Sequence, residues 1–340
     1  MTSLTPAKKT DVEMRTTALP RSRRGMTITH SSIRASASRA AVAASIVMGA
    51  LSLNSCNDNA DLKACDGLSI DAPTVTRAPS SIARCNGSPA LCDRRYDQVV
   101  YATAHNAMSN ADDGWFVPNQ QHSIARALVD GVRALMLDTH PYRGDAYLCH
   151  ADCRFGRRPL PDAMCAVRSF LDAHPDEVVT LLFESGLSDE ETADALARGG
   201  LRKYLGATPV NGVWPTLREL IPSGHRLVVF TETGGTRPPW YLPLYSYAWE
   251  TAYSFRSASE LSCAGNRGSP RNSLFVLNHF LDDPVAGPDL ADQINHAPVL
   301  LDRAERCMRE TGHLPNFVAV DFYNLGDLFA VVDELNGREP

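Results

Sequence analysis

The chain has 340 residues, 44% of them hydrophobic and 21% charged, and a formal net charge of −6. That length accommodates one large domain with a sizeable core, since a single α/β barrel takes about 250 residues. Residues 1–56 hold eight Lys/Arg against two Asp/Glu, which leaves 25 basic and 37 acidic groups in the remainder. That balance of −12 argues against a nucleic-acid binder, which needs a basic face for phosphates.

The first predicted element is a targeting segment over residues 1–56. Arg34 and Arg39 precede AAVAASIVMGALSL, an apolar run too short for a permanent span and suited to the core of a signal peptide. It ends in Leu53-Asn54-Ser55-Cys56, which resembles a bacterial lipobox with small Ser55 before the cysteine and an untypical Asn54. The expectation is an exported protein, either secreted or anchored to a membrane surface through lipid on Cys56. Residues 57–95 are rich in Asn, Asp, Ser, Pro and Cys with little periodicity, and read as a tether and a cysteine-containing cap.

Nine cysteines in an exported chain predict disulfides. With Cys56 set aside, the other eight allow about 105 pairings. Close spacing favours Cys85 with Cys92, and Cys149 with Cys153 or Cys165; Cys263 with Cys307 is a further suggestion. No paired CxxC motifs point to zinc.

Residues 96–340 read as one catalytic domain. Apolar, β-branched runs recur as QVVYATA, RALMLD, AYLCH, EVVTLLFE, RLVVFTE, YSYAWE, LFVLNHF and FVAVDFY. Helical patterns lie between several of them, such as SIARALVDG, LPDAMCAVRSFLDAH and APVLLDRAERCMRETG, with apolar residues at spacings of three and four. Strands alternating with helices imply a parallel sheet, and eight such runs imply an α/β fold closed into a (β/α)8, or TIM, barrel. AYLCH follows RALMLD too closely to admit a helix, so the barrel is expected to be distorted there. The stretch GGTRPPWYLP reads as a loop over the barrel mouth, where Trp240, Tyr241 and Tyr245 would either touch a lipid interface or, more plainly, pack the loop.

Four runs end in an imidazole or a carboxylate: His105, Asp138, His150 and Glu184. A lone buried histidine is usually a satisfied core residue, but repetition at strand ends, where barrel enzymes place their chemistry, points to a site. One neutral and one protonated histidine together suit displacement at phosphorus. Asn106, Asp138 and Glu184 offer oxygen ligands alone, which suits Ca²⁺ first and Mg²⁺ second. Asp321 ends the last run, and Asn278, His279 and Glu232 end others where they could contact substrate. His140, His122 and His174 have no assigned role.

The segments HNAMS, DGVRALMLD, YLCHADC, HPDEVVTLLFE and NFVAVDFY resemble the X-domain of phosphatidylinositol-specific phospholipase C, most closely its secreted, cysteine-containing branch. The resemblance runs from about Asp97 to the C-terminus. It implies a distorted TIM barrel, with His105 as general base on a substrate hydroxyl, His150 as general acid for the leaving alcohol, and Asp321 orienting His105. The products implied are a cyclic phosphodiester and diacylglycerol. Asn106, Asp138 and Glu184 match ligands of the calcium-dependent branch. The departure is Met136, where that branch carries Glu, so the site is expected to lack one ligand. Arg133 matches a family arginine that serves as a structural ion pair.

Two other readings compete. A glycerophosphodiester phosphodiesterase would share barrel and metal but place Arg after the first histidine and Glu two residues before the aspartate, where this chain has Asn106 and Met136. A non-catalytic lipid- or metal-binding module would suit the damaged ligand set, but has little need of both His105 and His150. The sequence assigns no oligomeric state.

Overall fold

The computed structural model describes residues 82–209, 211–235, 237–282 and 285–337. The targeting segment, Cys56 and the tether up to residue 81 lie outside the described residues. No helix among those described is long and apolar enough to cross a membrane.

Eight strands run parallel: β1 (Tyr101–Ala104), β2 (Ala134–Tyr142), β5 (Val179–Ser185), β6 (Leu227–Thr231), β7 (Tyr241–Pro243), β8 (Ala248–Thr251), β10 (Leu274–His279) and β11 (Phe317–Val320). Their hydrogen-bonded order is β7-β6-β5-β2-β1-β11-β10-β8, with every neighbouring pair parallel. The strands therefore follow one another around a barrel that opens between β7 and β8. A four-residue helix, Leu244–Tyr247, joins the two strands at that seam. β9 (Gly265–Gly268) lies antiparallel on the free edge of β8. The expected distorted barrel is present, and its distortion is this seam.

The strands are almost continuously buried because both faces are covered, as parallel sheets require. Side chains alternate between two apolar layers. On β2, Leu135 and Leu137 face the surrounding helices, whereas Ala134 and Met136 face the lumen. The lumen is filled from below by Tyr96, Tyr101, Trp214, Phe230 and Phe317. Tyr96 and Trp214 have ring centroids 4.7 Å apart. The Cys85–Cys92 turn joins this layer and holds Val178 just before β5, since Asn86 Nδ2 donates to the Val178 carbonyl at 3.1 Å. Apolar packing thus closes the bottom of the barrel and leaves its carboxyl end for polar side chains.

The helices have local causes. Ser188 and Thr216 form capping boxes with Glu191 and Glu219. The helix Ala297–Thr311 starts with proline in its first turn, ends at left-handed Gly312, and buries Leu300, Arg303, Ala304 and Cys307 along one face. Cys307 is bonded to Cys263.

Two strand assignments are corrected. AYLCH is not a barrel strand: β3 (Asp145–Leu148) doubles back antiparallel on β2, pairing Tyr142 with Asp145 and Thr139 with Leu148. Arg143 and Gly144 at the turn both have positive φ, 53° and 85°, the conformation whose twist suits a two-residue hairpin. The short strand β4 (Arg158–Pro159) pairs with β3. The place in the barrel given to AYLCH belongs instead to β7, inside the stretch read as a mouth loop. Tyr241 is therefore buried, and Trp240 and Tyr245 are partly buried against the core. The YSYAWE run is half helix, its strand beginning at Ala248. Disulfides join Cys85 to Cys92 and Cys149 to Cys153, the former favoured by close spacing and the latter one of the two partners it left open for Cys149, and Cys263 to Cys307, which spacing did not decide. Cys165 is disulfide-bonded too.

Candidate active site

At the carboxyl end of the barrel a cavity of about 630 Å³ is lined by His105, Asn106, Asp138, His150, Glu184 and Asp321. Strand geometry gathers five of these six. His105 and Asn106 follow β1, Asp138 and Glu184 stand directly opposite each other on β2 and β5, and Asp321 follows β11. His150 arrives differently, on the return arm of the β2–β3 hairpin. The Cys149 N–H there donates to the Asp138 carbonyl at 3.2 Å.

His105 is the most firmly held of these groups. Its Nδ1 lies 2.8 Å from Asp321 Oδ1. The carboxylate accepts, so Nδ1 carries the proton and Nε2 keeps its lone pair for chemistry. Phe280 stacks on the ring at 3.7 Å with planes 3° apart. Asn119 Nδ2 donates to both Asp321 oxygens, at 3.2 and 3.3 Å. Gln120 Nε2 donates to the backbone carbonyls of His105 and Val320, at 2.7 and 3.0 Å. Burial pushes the His105 pKa down, but the charge and hydrogen bond of Asp321, with the charges of Asp138 and Glu184, outweigh it and hold the imidazole above its ordinary value. His150 is moved the other way, lowered by burial and then by the nearby charge of His105.

Asp138 is pushed up to about 7, first by burial and then by the charge of Glu184 beside it. Two carboxylates facing each other across paired strands repel, and a cation between them would remove that repulsion. Asn106 Nδ2 lies 3.2 Å from His150 Nε2; with its nitrogen turned to the ring, its amide oxygen is the group left for a ligand. Met136 sits one inward position below Asp138, packed on the luminal apolar layer. Among the described residues no three His, Cys, Asp or Glu side chains form a metal-ligand cluster, so an ion here would rest on two carboxylates, one amide and water. The donors are all oxygen, which fits a hard divalent cation with an incomplete protein shell.

The three residues expected to contact substrate lie off the cavity lining. Asn278 is buried and donates to the Thr251 carbonyl at 3.0 Å. His279 turns away from the lumen, with Nε2 2.9 Å from the Ile294 carbonyl and Nδ1 3.2 Å from Arg303 Nη1; burial drives it down to about 3. Glu232 is paired with Arg267 of β9, which also binds Glu250 on the neighbouring strand β8. Arg133 forms the expected structural ion pair, 2.7 Å from Glu177.

Sequence reasoning missed Asn119, Phe280 and His140 on the lining. Asn119 and Phe280 act through contacts between distant segments, and neither residue type announces a site. His140 was visible as one more histidine two positions after Asp138. The rim was missed as well. Phe116, Val117, Phe155, Tyr253 and Val285 line the mouth while 36–66% exposed, and they are five of the seven large exposed hydrophobics among the described residues. These, rather than Trp240, Tyr241 and Tyr245, are the apolar groups offered to the outside. Backbone strain gathers here too, because Asn106, Val117, Ala151 and Phe322 have positive φ on or beside the lining, out of seven such non-glycine residues described.

The family model described as PI-PLC X 1 matches residues 91–336, well over half of the sequence. The chain belongs to the PI-PLC X-domain family. It is 33% identical over 274 residues to PI-PLC X domain-containing protein 1 of Arthroderma benhamiae, covering 74% of this chain and 89% of that one. A protein of the same fungus named an uncharacterized secreted protein is 28% identical over 289 residues, 76% of this chain and 65% of its own length. Among solved structures, a variant of the phosphatidylinositol-specific phospholipase C from Staphylococcus aureus superposes with a TM-score of 0.51 at 12% identity, covering 73% of this chain and 94% of that one. That likeness is one of fold.

Proposed function

We propose that this PI-PLC X-domain protein is a phosphodiesterase that cleaves phosphatidylinositol-like lipids by internal displacement at phosphorus. The observation that carries the reading is the His105–Asp321 pair, 2.8 Å apart, sharing one cavity with a second histidine, His150, reached from a different part of the chain. His105 Nε2 takes the proton of a substrate hydroxyl beside the phosphodiester, and that oxygen forms a bond to phosphorus. The bond from phosphorus to the lipid oxygen breaks, and His150 gives that oxygen a proton. The products are a cyclic phosphodiester and diacylglycerol, with no net change in protons.

The electrostatics support this division once substrate is seated. The anionic phosphate supplies the negative charge that His150 lacks and raises its affinity for a proton. Asn106, Asp138 and Glu184 are the residues that would hold calcium, with magnesium second. A cation there would neutralise the phosphodiester and offset the charges of Asp138 and Glu184, which add to that of Asp321 in holding His105 up. Met136 leaves one position of its shell to water.

The exposed apolar rim supports a substrate presented at a lipid surface, because contiguous exposed apolar groups around a pocket mark such contacts. Export is supported by the disulfides among the described residues, which belong in oxidising compartments, and by the relative named as secreted. Anchoring through lipid on Cys56 is the finer form of that proposal.

The experiment is to incubate the exported domain with phosphatidylinositol, lysophosphatidylinositol and glycerophosphodiesters, with and without calcium, and to identify the phosphorus-containing product. A cyclic phosphodiester from the inositol lipids is expected. Glycerol phosphate from the simple diesters would assign the protein to the glycerophosphodiesterase reaction instead, and binding without turnover would make it a lipid-binding module.

A further inference from the structure

The two histidines are held by different means. His105 leaves a barrel strand and carries Asp321, Phe280 and two supporting amides around it. His150 sits beyond the end of β3, and among the described residues no carboxylate is paired with it; its ring meets Asn106 Nδ2 at 3.2 Å. What encloses His150 is covalent. Cys149 and Cys153 are bonded with their Cα atoms 4.9 Å apart, closing a small ring around His150, Ala151 and Asp152.

Both sides of that ring are docked. On one side Cys149 is fully buried and its N–H is bonded to the Asp138 carbonyl at 3.2 Å. On the other, the Phe155 carbonyl accepts from the Phe116 N–H at 2.8 Å, and Gly156 lies so close to the Trp115 indole that a Cβ would meet it at 2.4 Å. Inside the ring, Ala151 is held at φ 57°, a left-handed conformation that an alanine in an open loop would leave. The Asp152 N–H folds back on the His150 carbonyl at 2.7 Å.

We propose that the Cys149–Cys153 disulfide is the positioning element of the general acid, holding His150 in place as Asp321 holds His105. The proposal rests on the reading of His150 as proton donor to the leaving oxygen. Proton transfer demands placement, and a displacement of order 1 Å costs about 10²-fold. Opening the ring frees the loop between two docked ends and lets His150 swing from the leaving oxygen, while His105 and the carboxylates stay on their strands. The defect would therefore concern one proton only.

The test compares phosphatidylinositol with an inositol phosphodiester of an activated phenol, whose leaving oxygen needs no proton. The double variant C149A/C153A should lose about 10²-fold on the lipid and less than about tenfold on the aryl phosphodiester, the pattern expected of His150→Ala. The control C85A/C92A opens the disulfide at the far end of the barrel; it should lower the melting temperature and leave the ratio of the two rates as in wild type. If C149A/C153A does not fold, Ala151→Pro serves. It keeps both cysteines but cannot adopt a positive φ, and it should change the ratio in the same direction. A folded double variant, or failing that a folded Ala151→Pro, with the wild-type ratio would overturn the proposal and leave the site reading standing. A wild type that cleaves neither ester would remove that reading and the proposal with it.

Discussion

His105 Nδ1 and Asp321 Oδ1 stand 2.8 Å apart although 216 residues separate them in the chain. The first and last parallel strands are neighbours, with Ala104 opposite Val320, so barrel closure itself makes this contact. The carboxylate fixes which ring nitrogen keeps its lone pair. Asp321→Asn preserves shape but removes the charge and allows the wrong tautomer, and it should lower kcat by about 10²-fold or more with little change in KM. Turnover within a few-fold of wild type would show that His105 does not depend on this partner.

Chelation should lower activity, because Asp138 and Glu184 face each other in register and their repulsion contributes to holding Asp138 up at about 7. Adding the absent carboxylate through Met136→Glu should tighten calcium binding, read directly by calorimetry on the protein without substrate. An unchanged calcium affinity would count against a site at this depth of the lumen. Full activity after exhaustive chelation would remove the metal from the account.

Buried His279 gives the fold a pH dependence of defined sign. Its pKa falls from 6.5 to about 3 on folding, so between those values the unfolded chain binds a proton that the folded chain does not. Stability is therefore full above about pH 6.5 and falls as pH falls toward 3, by up to about 1.4 kcal/mol per pH unit from this group. His279→Gln should have a shallower acid dependence than wild type in urea unfolding across that window. Parallel curves would show that His279 takes up a proton within the folded protein.

Much of the barrel was legible because its strands are short, apolar and separated by amphipathic helices. Seven of the eight runs contain a barrel strand, and the exception teaches most. AYLCH has the pattern of a strand and forms one, but the two-residue turn at Arg143-Gly144 sends it back along β2. Three-residue β7 was hidden among glycines and prolines, since so short a strand is fixed by its neighbour β6 and not by its own composition. At the site, residues ending strands could be read because one side chain in two faces the lumen. Asn278 points to Thr251 and His279 outward to Arg303 and Ile294, a distinction that depends on register. Asn119 and Phe280 act across long stretches of chain, and nothing local marks them. Trp240, Tyr241 and Tyr245 pack inward, the plainer of their two readings, whereas the rim residues Phe116, Val117, Phe155, Tyr253 and Val285 carry no local pattern that marks them.

The central claim is that His105 and His150 divide two proton transfers, and the most direct measurement is the rate of His105→Ala and His150→Ala on phosphatidylinositol and on the activated aryl ester. Both variants should lose about 10²–10⁴-fold on the lipid. On the aryl ester His150→Ala should recover most of that loss, since its proton is no longer needed, whereas His105→Ala should remain slow because the attacking hydroxyl still requires a base. Equal recovery of both variants, or lipid turnover unaffected by either substitution, would contradict the assignment.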